Sequence, residues 1–108
     1  MNKKFKNLMD RLEKDMRSKG VDEIIINDIL DSCYSITKSL KNIKYETRYI
    51  DTARTFRLTL RTIKNIEKYS DVKVTAKDFS KFISKDFNNG IPVNPRTFYV
   101  ESIENLLL

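Results

Sequence analysis

The chain has 108 residues, of which 40% are apolar and 33% charged, with a formal net charge of +6; this balance is typical of one folded domain that buries a core without metal or disulfide staples. The absence of His and the presence of a single cysteine, Cys33, exclude an internal disulfide, a zinc site built from Cys and His, and a nucleophile activated by an imidazole. The two glycines leave no glycine-rich loop for phosphate or dinucleotide binding, so we expect no catalytic site, no metal and no cofactor.

The first two predicted helices follow from apolar spacing and from their end signals. Neither glycine nor proline occurs between Gly20 and Gly90, which favours an almost wholly helical protein. The first helix is predicted from about Lys3 to Lys19, with Gly20 ending it in the left-handed conformation. Asp22 is the expected N-cap of a second helix, whose apolar positions step by three and four residues: Ile26, Ile29, Cys33, Ile36, Leu40 and Ile43. Cys33 lies within this series, which favours a small buried hydrophobic side chain over a reactive thiol.

The apolar phase changes after the second helix. If the series continued, positions 54 and 57 would be apolar, but they hold Arg54 and Arg57. A new apolar stripe appears instead at Ala53, Phe56, Leu60 and Ile63. We therefore predict a turn or sharp kink within Lys44–Asp51 and a third helix over Asp51–Tyr69, with one long continuous helix as the alternative.

Capping signals mark the last two predicted helices. Thr75 and Asp78 form a capping box, and the helix that they open carries Phe79, Phe82, Ile83 and Phe87 and ends at Asn88, Asn89 and Gly90. The fifth helix begins with Asn94 as N-cap and Pro95 at the first helical position. It also has Val93 and Phe98 as a hydrophobic staple, continues to the C-terminus, and presents an apolar face formed by Tyr99, Ile103 and Leu106. The whole pattern predicts an all-α fold, a single compact bundle of about five helices over residues 1–108, with a three-helix part (1–69) and a two-helix part (70–108).

Positive charge is concentrated in the middle of the chain. Residues 1–37 carry seven basic and seven acidic side chains, and residues 69–108 carry five of each. Residues 38–68 carry nine basic side chains against three acidic ones, so the net charge resides there. In the third helix the basic residues step by three and four, which places them on one face; we call them the basic stripe: Arg54, Arg57, Arg61, Lys64 and Lys68. Four more extend the charge upstream: Lys38, Lys41, Lys44 and Arg48.

The C-terminal third resembles a helix-turn-helix unit of the kind found in winged-helix regulators. The matching strings are Val74–Phe79 at one helix start, Gly90–Ile91 in the turn, Asn94–Tyr99 at the next helix start, and Ile103–Leu106 near its end. The resemblance implies that Arg96, Thr97 and Val100 occupy the base-facing start of a recognition helix. The alternative is a pair of capped core helices without a reading role, which Glu101 and Glu104 favour because phosphate repels carboxylates.

The charge pattern favours a non-enzymatic protein that binds nucleic acid, DNA rather than RNA, through the phosphate backbone. Regulation of transcription, or replication in a virus, plasmid or archaeal-type cell, would suit such a protein. The alternative is a helical interaction module, a subunit or inhibitor of a larger assembly, that docks on an acidic protein. Pairing with a second copy stays open. No segment is apolar enough for a membrane span, so we expect a soluble, cytoplasmic protein without a membrane partner.

Overall fold

The computed structural model of the chain describes residues 2–43, 49–84 and 94–108. These residues form helices and connecting segments and contain no β-strand. The helices are α1 (Lys3–Ser18), α2 (Glu23–Asn42), α3 (Tyr49–Tyr69), α4 (Ala76–Ser80) and α5 (Pro95–Leu107). The predicted all-α fold of about five helices is confirmed.

The end of α1 follows the predicted glycine signal. Gly20 has a φ of +72°, in the left-handed region that side chains rarely adopt. The Gly20 N–H donates to the Arg17 carbonyl at 3.1 Å, and the Val21 N–H donates to the Met16 carbonyl at 3.1 Å. This pair of bonds is a Schellman motif, which satisfies the last carbonyls of α1 and turns the chain toward α2.

The second helix buries the predicted apolar series completely, from Ile26 to Ile43. The Asp22 side chain caps α2 by accepting from the Ile24 N–H at 2.8 Å. Cys33 is fully buried, and burial raises the pKa of its thiol to about 12, which agrees with a core side chain rather than a reactive one.

The break between the second and third helices is confirmed. α2 ends at Asn42, and Ile43 has an extended backbone with φ of −70° and ψ of 126°, so no continuous helix forms. α3 begins at Tyr49, two residues before the predicted start. Most of the predicted turn region lies outside the described residues.

The buried face of α3 differs from the predicted apolar stripe. Of the four residues predicted to face the core, only Ile63 is buried, while Ala53, Phe56 and Leu60 are half-buried. Three threonines belong to the buried set, which is Thr55, Thr59, Thr62, Ile63 and Ile66. Burial of threonine in a helix is tolerated because its hydroxyl can bond to the carbonyl one turn earlier and its methyl group packs like that of valine.

The fourth helix is much shorter than predicted. Thr75 and Asp78 form the predicted box contact, since the Asp78 carboxylate accepts from the Thr75 N–H at 2.8 Å. α4 nevertheless ends at Ser80, and Phe82 and Ile83 are buried in the turn that follows rather than in a helix. The Ser84 N–H donates to the Leu40 carbonyl of α2 at 2.9 Å, so a tertiary hydrogen bond competes with continuation of the helix. Phe87 and the predicted end at Asn88–Gly90 lie outside the described residues.

The predicted start of the fifth helix is confirmed, but its apolar face is not fully buried. The Asn94 side chain accepts from the Arg96 N–H at 2.9 Å and from the Thr97 N–H at 3.4 Å. Tyr99 and Ile103 are fully buried, whereas Leu106 is 59% exposed because the neighbouring Leu107 takes the packed position. The predicted staple partner of Phe98, Val93, lies outside the described residues.

All five helices contribute to one hydrophobic core. α2 is central: α1 and α3 pack on it, and α5 packs on α3 and α4. An aromatic cluster joins α1 to α4 and its following turn, with the Phe5 ring 5.6 Å from Phe79 and 5.1 Å from Phe82, measured between centroids. None of the described helices combines the length and apolar character required to cross a bilayer.

Candidate nucleic-acid interface

The basic stripe is fully exposed on α3. At 100° per residue its five side chains fall within about 80° of the helix circumference and extend over about 21 Å. The centre of the stripe lies about 160° around the helix from the centre of the buried face. Each of the five side chains is exposed: Arg54, Arg57, Arg61, Lys64 and Lys68. The threonine-centred burial of α3 therefore turns the stripe directly away from the core.

The charges of the stripe are not neutralised by neighbouring acids. Within residues 2–43, 49–84 and 94–108, the ion pairs all involve Arg17 or Lys19, near the end of α1. The Lys68 ammonium lies 5.4 Å from the centroid of the Tyr69 ring, a cation–π contact that leaves its charge in place. The other four members of the stripe have no ion pair within these ranges, so their positive field reaches solvent.

The upstream extension of the stripe is only partly within the described residues. Lys38 and Lys41 are both exposed on α2. The Lys41 ammonium lies 5.2 Å from the centroid of the Phe82 ring, which places it beside the turn after α4. Lys44 and Arg48 lie outside the described residues. The structure thus places the basic stripe on α3, while Lys38 and Lys41 lie on α2.

Two neighbouring helices hold the stripe in place. α3 packs against α2 and against α5. The Tyr99 hydroxyl of α5 donates to Thr59 Oγ1 at 2.9 Å, and Thr59 Oγ1 donates to the Thr55 carbonyl at 2.9 Å. The Tyr99 ring also meets the Phe56 ring edge-on, with centroids 5.1 Å apart. A helix fixed in this way presents its cations with little loss of backbone freedom on binding.

Arg96 and Thr97 lie apart from the basic stripe, at the start of α5. Both are exposed, and both line an open groove of about 410 Å³ between α4 and α5. The same groove contains the carboxylates of Glu101 and Glu104. It also contains Lys77 of α4, which no sequence pattern indicated. The groove is therefore mixed in charge, unlike the stripe.

The described residues, from 2 to 43, 49 to 84 and 94 to 108, contain no group of three or more Cys, Asp or Glu side chains arranged to hold a metal ion. Their distinctive chemistry is the arrangement of guanidinium and ammonium groups on α3. No protein family, no curated protein and no solved structure matches this chain.

Proposed function

We propose that this protein binds nucleic acid through the phosphate backbone, with the basic stripe of α3 as the contact surface. The observation that carries the proposal is a row of five exposed cations on one helix face, without an ion pair among the described residues. A linear array of this kind complements a regular array of phosphates. The function is therefore binding, without a covalent step.

The composition of the stripe is suited to phosphate contact. Arg54, Arg57 and Arg61 supply planar guanidinium groups, which bond phosphate oxygens with two parallel N–H donors. Contacts to phosphate position a protein on nucleic acid but carry no sequence information. We therefore expect affinity for many sequences, with duplex DNA as the preferred probe.

The salt dependence of binding tests the electrostatic part of the proposal. If about four phosphates are neutralised, the slope of log affinity against log salt should be about −3.6 for duplex DNA. Affinity should then fall by roughly two orders of magnitude between about 50 and 200 mM salt. Fluorescence anisotropy with a labelled duplex measures this slope, and a flat response would contradict the proposal.

Charge reversal tests the location of the contact. In the variant Arg57→Glu with Arg61→Glu, we expect the salt slope to fall in magnitude by about 2, because each lost phosphate contact removes about one unit. The matched control is Lys6→Glu with Lys73→Glu, since both lysines are exposed and outside the stripe and both variants change the net charge equally. Circular dichroism should show unchanged helicity in both. Equal loss of affinity in the two variants would show that only net charge matters.

An acidic protein partner is the competing outcome of this test. Binding to such a partner should give one complex of fixed stoichiometry that duplex DNA does not displace. If the protein binds nucleic acid, random single-stranded and duplex competitors should each displace a labelled probe at low salt, to different degrees. Failure of every DNA and RNA probe to bind at low salt would exclude the proposed function.

A further inference from the structure

A second basic surface lies on α1. The overall charge balance of residues 1–37 conceals it, because residues 3–19 contain only three acids. Residues 3–19, which are α1 and its C-cap residue, carry seven Lys and Arg side chains. Arg17 and Lys19 are used in ion pairs with Glu13, Glu23, Asp15 and Asp71. The remaining cations have no ion pair within the described ranges, and four of them share one side of the helix: Lys3, Lys4, Arg11 and Lys14.

Part of this surface forms a cavity with α4 and the turn that follows it. The cavity has a volume of about 230 Å³ and is lined by Lys4 and Arg11 of α1, by Lys81, and by Asp78. The half-buried Leu8 contributes apolar surface. Asp78 is already used within its own element, because its carboxylate accepts from the Thr75 N–H at 2.8 Å and from the Thr75 hydroxyl at 3.2 Å. The three cations are exposed and have no ion pair in the described part of the chain.

Two acids of α1 adjoin these cations, because Asp10 precedes Lys14 by one helical turn and Asp15 follows Arg11 by one turn. Lys4 and Arg11 lie toward α4, where they line the cavity. Asp15 is engaged by Lys19, Ser70 and Asp71. Asp10 forms no ion pair with the described residues, so neither acid neutralises the cations that line the cavity.

We propose that this surface, comprising Lys3, Lys4, Arg11, Lys14 and Lys81, binds the phosphate backbone of a second nucleic-acid segment, so that one molecule bridges two segments. The inference rests on the function proposed above for the basic stripe. A cavity of about 230 Å³ is smaller than the roughly 300–1,000 Å³ of sites that enclose a small ligand. A shallow cavity ringed by three cations suits one phosphate group of a larger molecule.

The two basic surfaces are separate parts of the molecule. α1 packs on α2 rather than along α3, and each surface faces away from the buried side of its own helix. Hydrogen bonds join α1 to the segment after α3 only where both helices end, through Asp15, Ser70 and Asp71. Two outward faces on different helices are suited to two segments rather than to one continuous contact.

A capture experiment tests the bridge. One duplex is fixed to beads, the protein is added, and retention of a second, labelled duplex is measured, while anisotropy gives the affinity for a single duplex. In the variant Lys4→Glu with Arg11→Glu, we expect retention of the second duplex to fall at least about tenfold, because two phosphate contacts are lost. Affinity for a single duplex should stay within about twofold of the wild-type value, because the stripe is intact. Lys6→Glu with Lys73→Glu, the same control as above, should retain both properties.

The outcomes separate the two proposals. The wild-type protein could bind a duplex without retaining a second one, or the Lys4→Glu, Arg11→Glu variant could retain as much second duplex as the control. Either result would show that bridging is wrong, and the proposed function would stand. If that variant loses affinity for a single duplex as severely as Arg57→Glu with Arg61→Glu does, the two surfaces form one site and bridging is again wrong. Absence of duplex binding by the wild-type protein overturns both. The milder variant Lys4→Gln with Arg11→Gln replaces the reversal if circular dichroism shows a loss of helicity.

Discussion

Tyr99 and Thr59 show how a polar pair can stabilise a helical core. Both side chains are fully buried, and they lie 40 positions apart in the chain. Burial raises the pKa of the Tyr99 hydroxyl, so the group stays protonated and acts as a donor to Thr59. Thr59 in turn donates to the Thr55 carbonyl, which leaves neither hydroxyl without a partner. The pair thus aligns α5 with the side of α3 opposite the basic stripe.

Removing either partner should have unequal effects on stability. Tyr99→Phe deletes one hydrogen bond but leaves Thr59 bonded to the Thr55 carbonyl, so we expect a loss of about 1 kcal/mol in the free energy of unfolding. Thr59→Val leaves the buried Tyr99 hydroxyl without its acceptor, and we expect a larger loss of about 1–3 kcal/mol. Urea unfolding followed by circular dichroism measures both values. Equal losses, or a larger loss for Tyr99→Phe, would contradict this account, and the double variant should be less destabilised than the sum of the two.

At the scale of elements, the end of α1 is tied to the segment that follows α3. The Asp15 carboxylate accepts from the Lys19 ammonium at 2.7 Å, from the Ser70 hydroxyl at 2.5 Å and from the Asp71 N–H at 3.0 Å. The Lys19 ammonium also meets the Asp71 carboxylate at 2.9 Å. One carboxylate thus connects two elements that the sequence separates by more than 50 residues.

This carboxylate predicts an acid dependence of stability. The bond from Lys19, followed by the bonds from Ser70 and the Asp71 backbone, lowers the pKa of Asp15 from 3.8 to about 2. The stabilisation is therefore complete above about pH 4 and is lost as the pH falls toward about 2. We expect the difference in unfolding free energy between the wild type and Asp15→Asn to shrink over this interval.

Denaturant unfolding at several pH values measures that difference. Asp28→Asn serves as the control, because Asp28 is exposed and makes no hydrogen bond or ion pair with the described residues. The difference in unfolding free energy between the wild type and Asp15→Asn could instead stay constant from pH 4 to pH 2, as it should for the control. That result would show that the Asp15 charge does not stabilise the native state.

At the scale of the whole molecule, the fold sorts charges that are mixed along the chain. Acids and cations alternate in residues 10–19, yet the ion pairs gather where α1 ends. The remaining cations of α1 and the basic stripe of α3 face solvent. The α4–α5 groove keeps both signs, with Lys77 and Arg96 beside Glu101 and Glu104. Affinity and sequence reading can therefore be tested on different surfaces.

Arg96→Ala distinguishes backbone binding from base reading. If the resemblance to helix-turn-helix proteins carries function, this variant should relax preference at one or two base positions, each by about 1–3 kcal/mol. We expect instead a small and uniform loss for every sequence, because Glu101 and Glu104 share the groove with Arg96. Selection from random duplexes provides the measurement. A sharp consensus that disappears in Arg96→Ala but survives Arg57→Ala would show that α5 reads bases.

The sequence by itself determined the features that depend on a few neighbouring residues. The left-handed stop at Gly20, the caps at Asp22 and Asn94, the buried series of α2 and the exposed spacing of the stripe all follow from local hydrogen bonding and helical periodicity. Only the tertiary structure decided the short α4, the buried threonines of α3 and which cations of α1 form ion pairs with the described residues. These depend on partners distant in the chain: the Leu40 carbonyl bonded to Ser84, the Tyr99 hydroxyl bonded to Thr59, and the acids that engage Arg17 and Lys19. The burial of a side chain and the neutralisation of its charge depend on the residues that pack against it. The spacing of residues along one helix does not specify those partners.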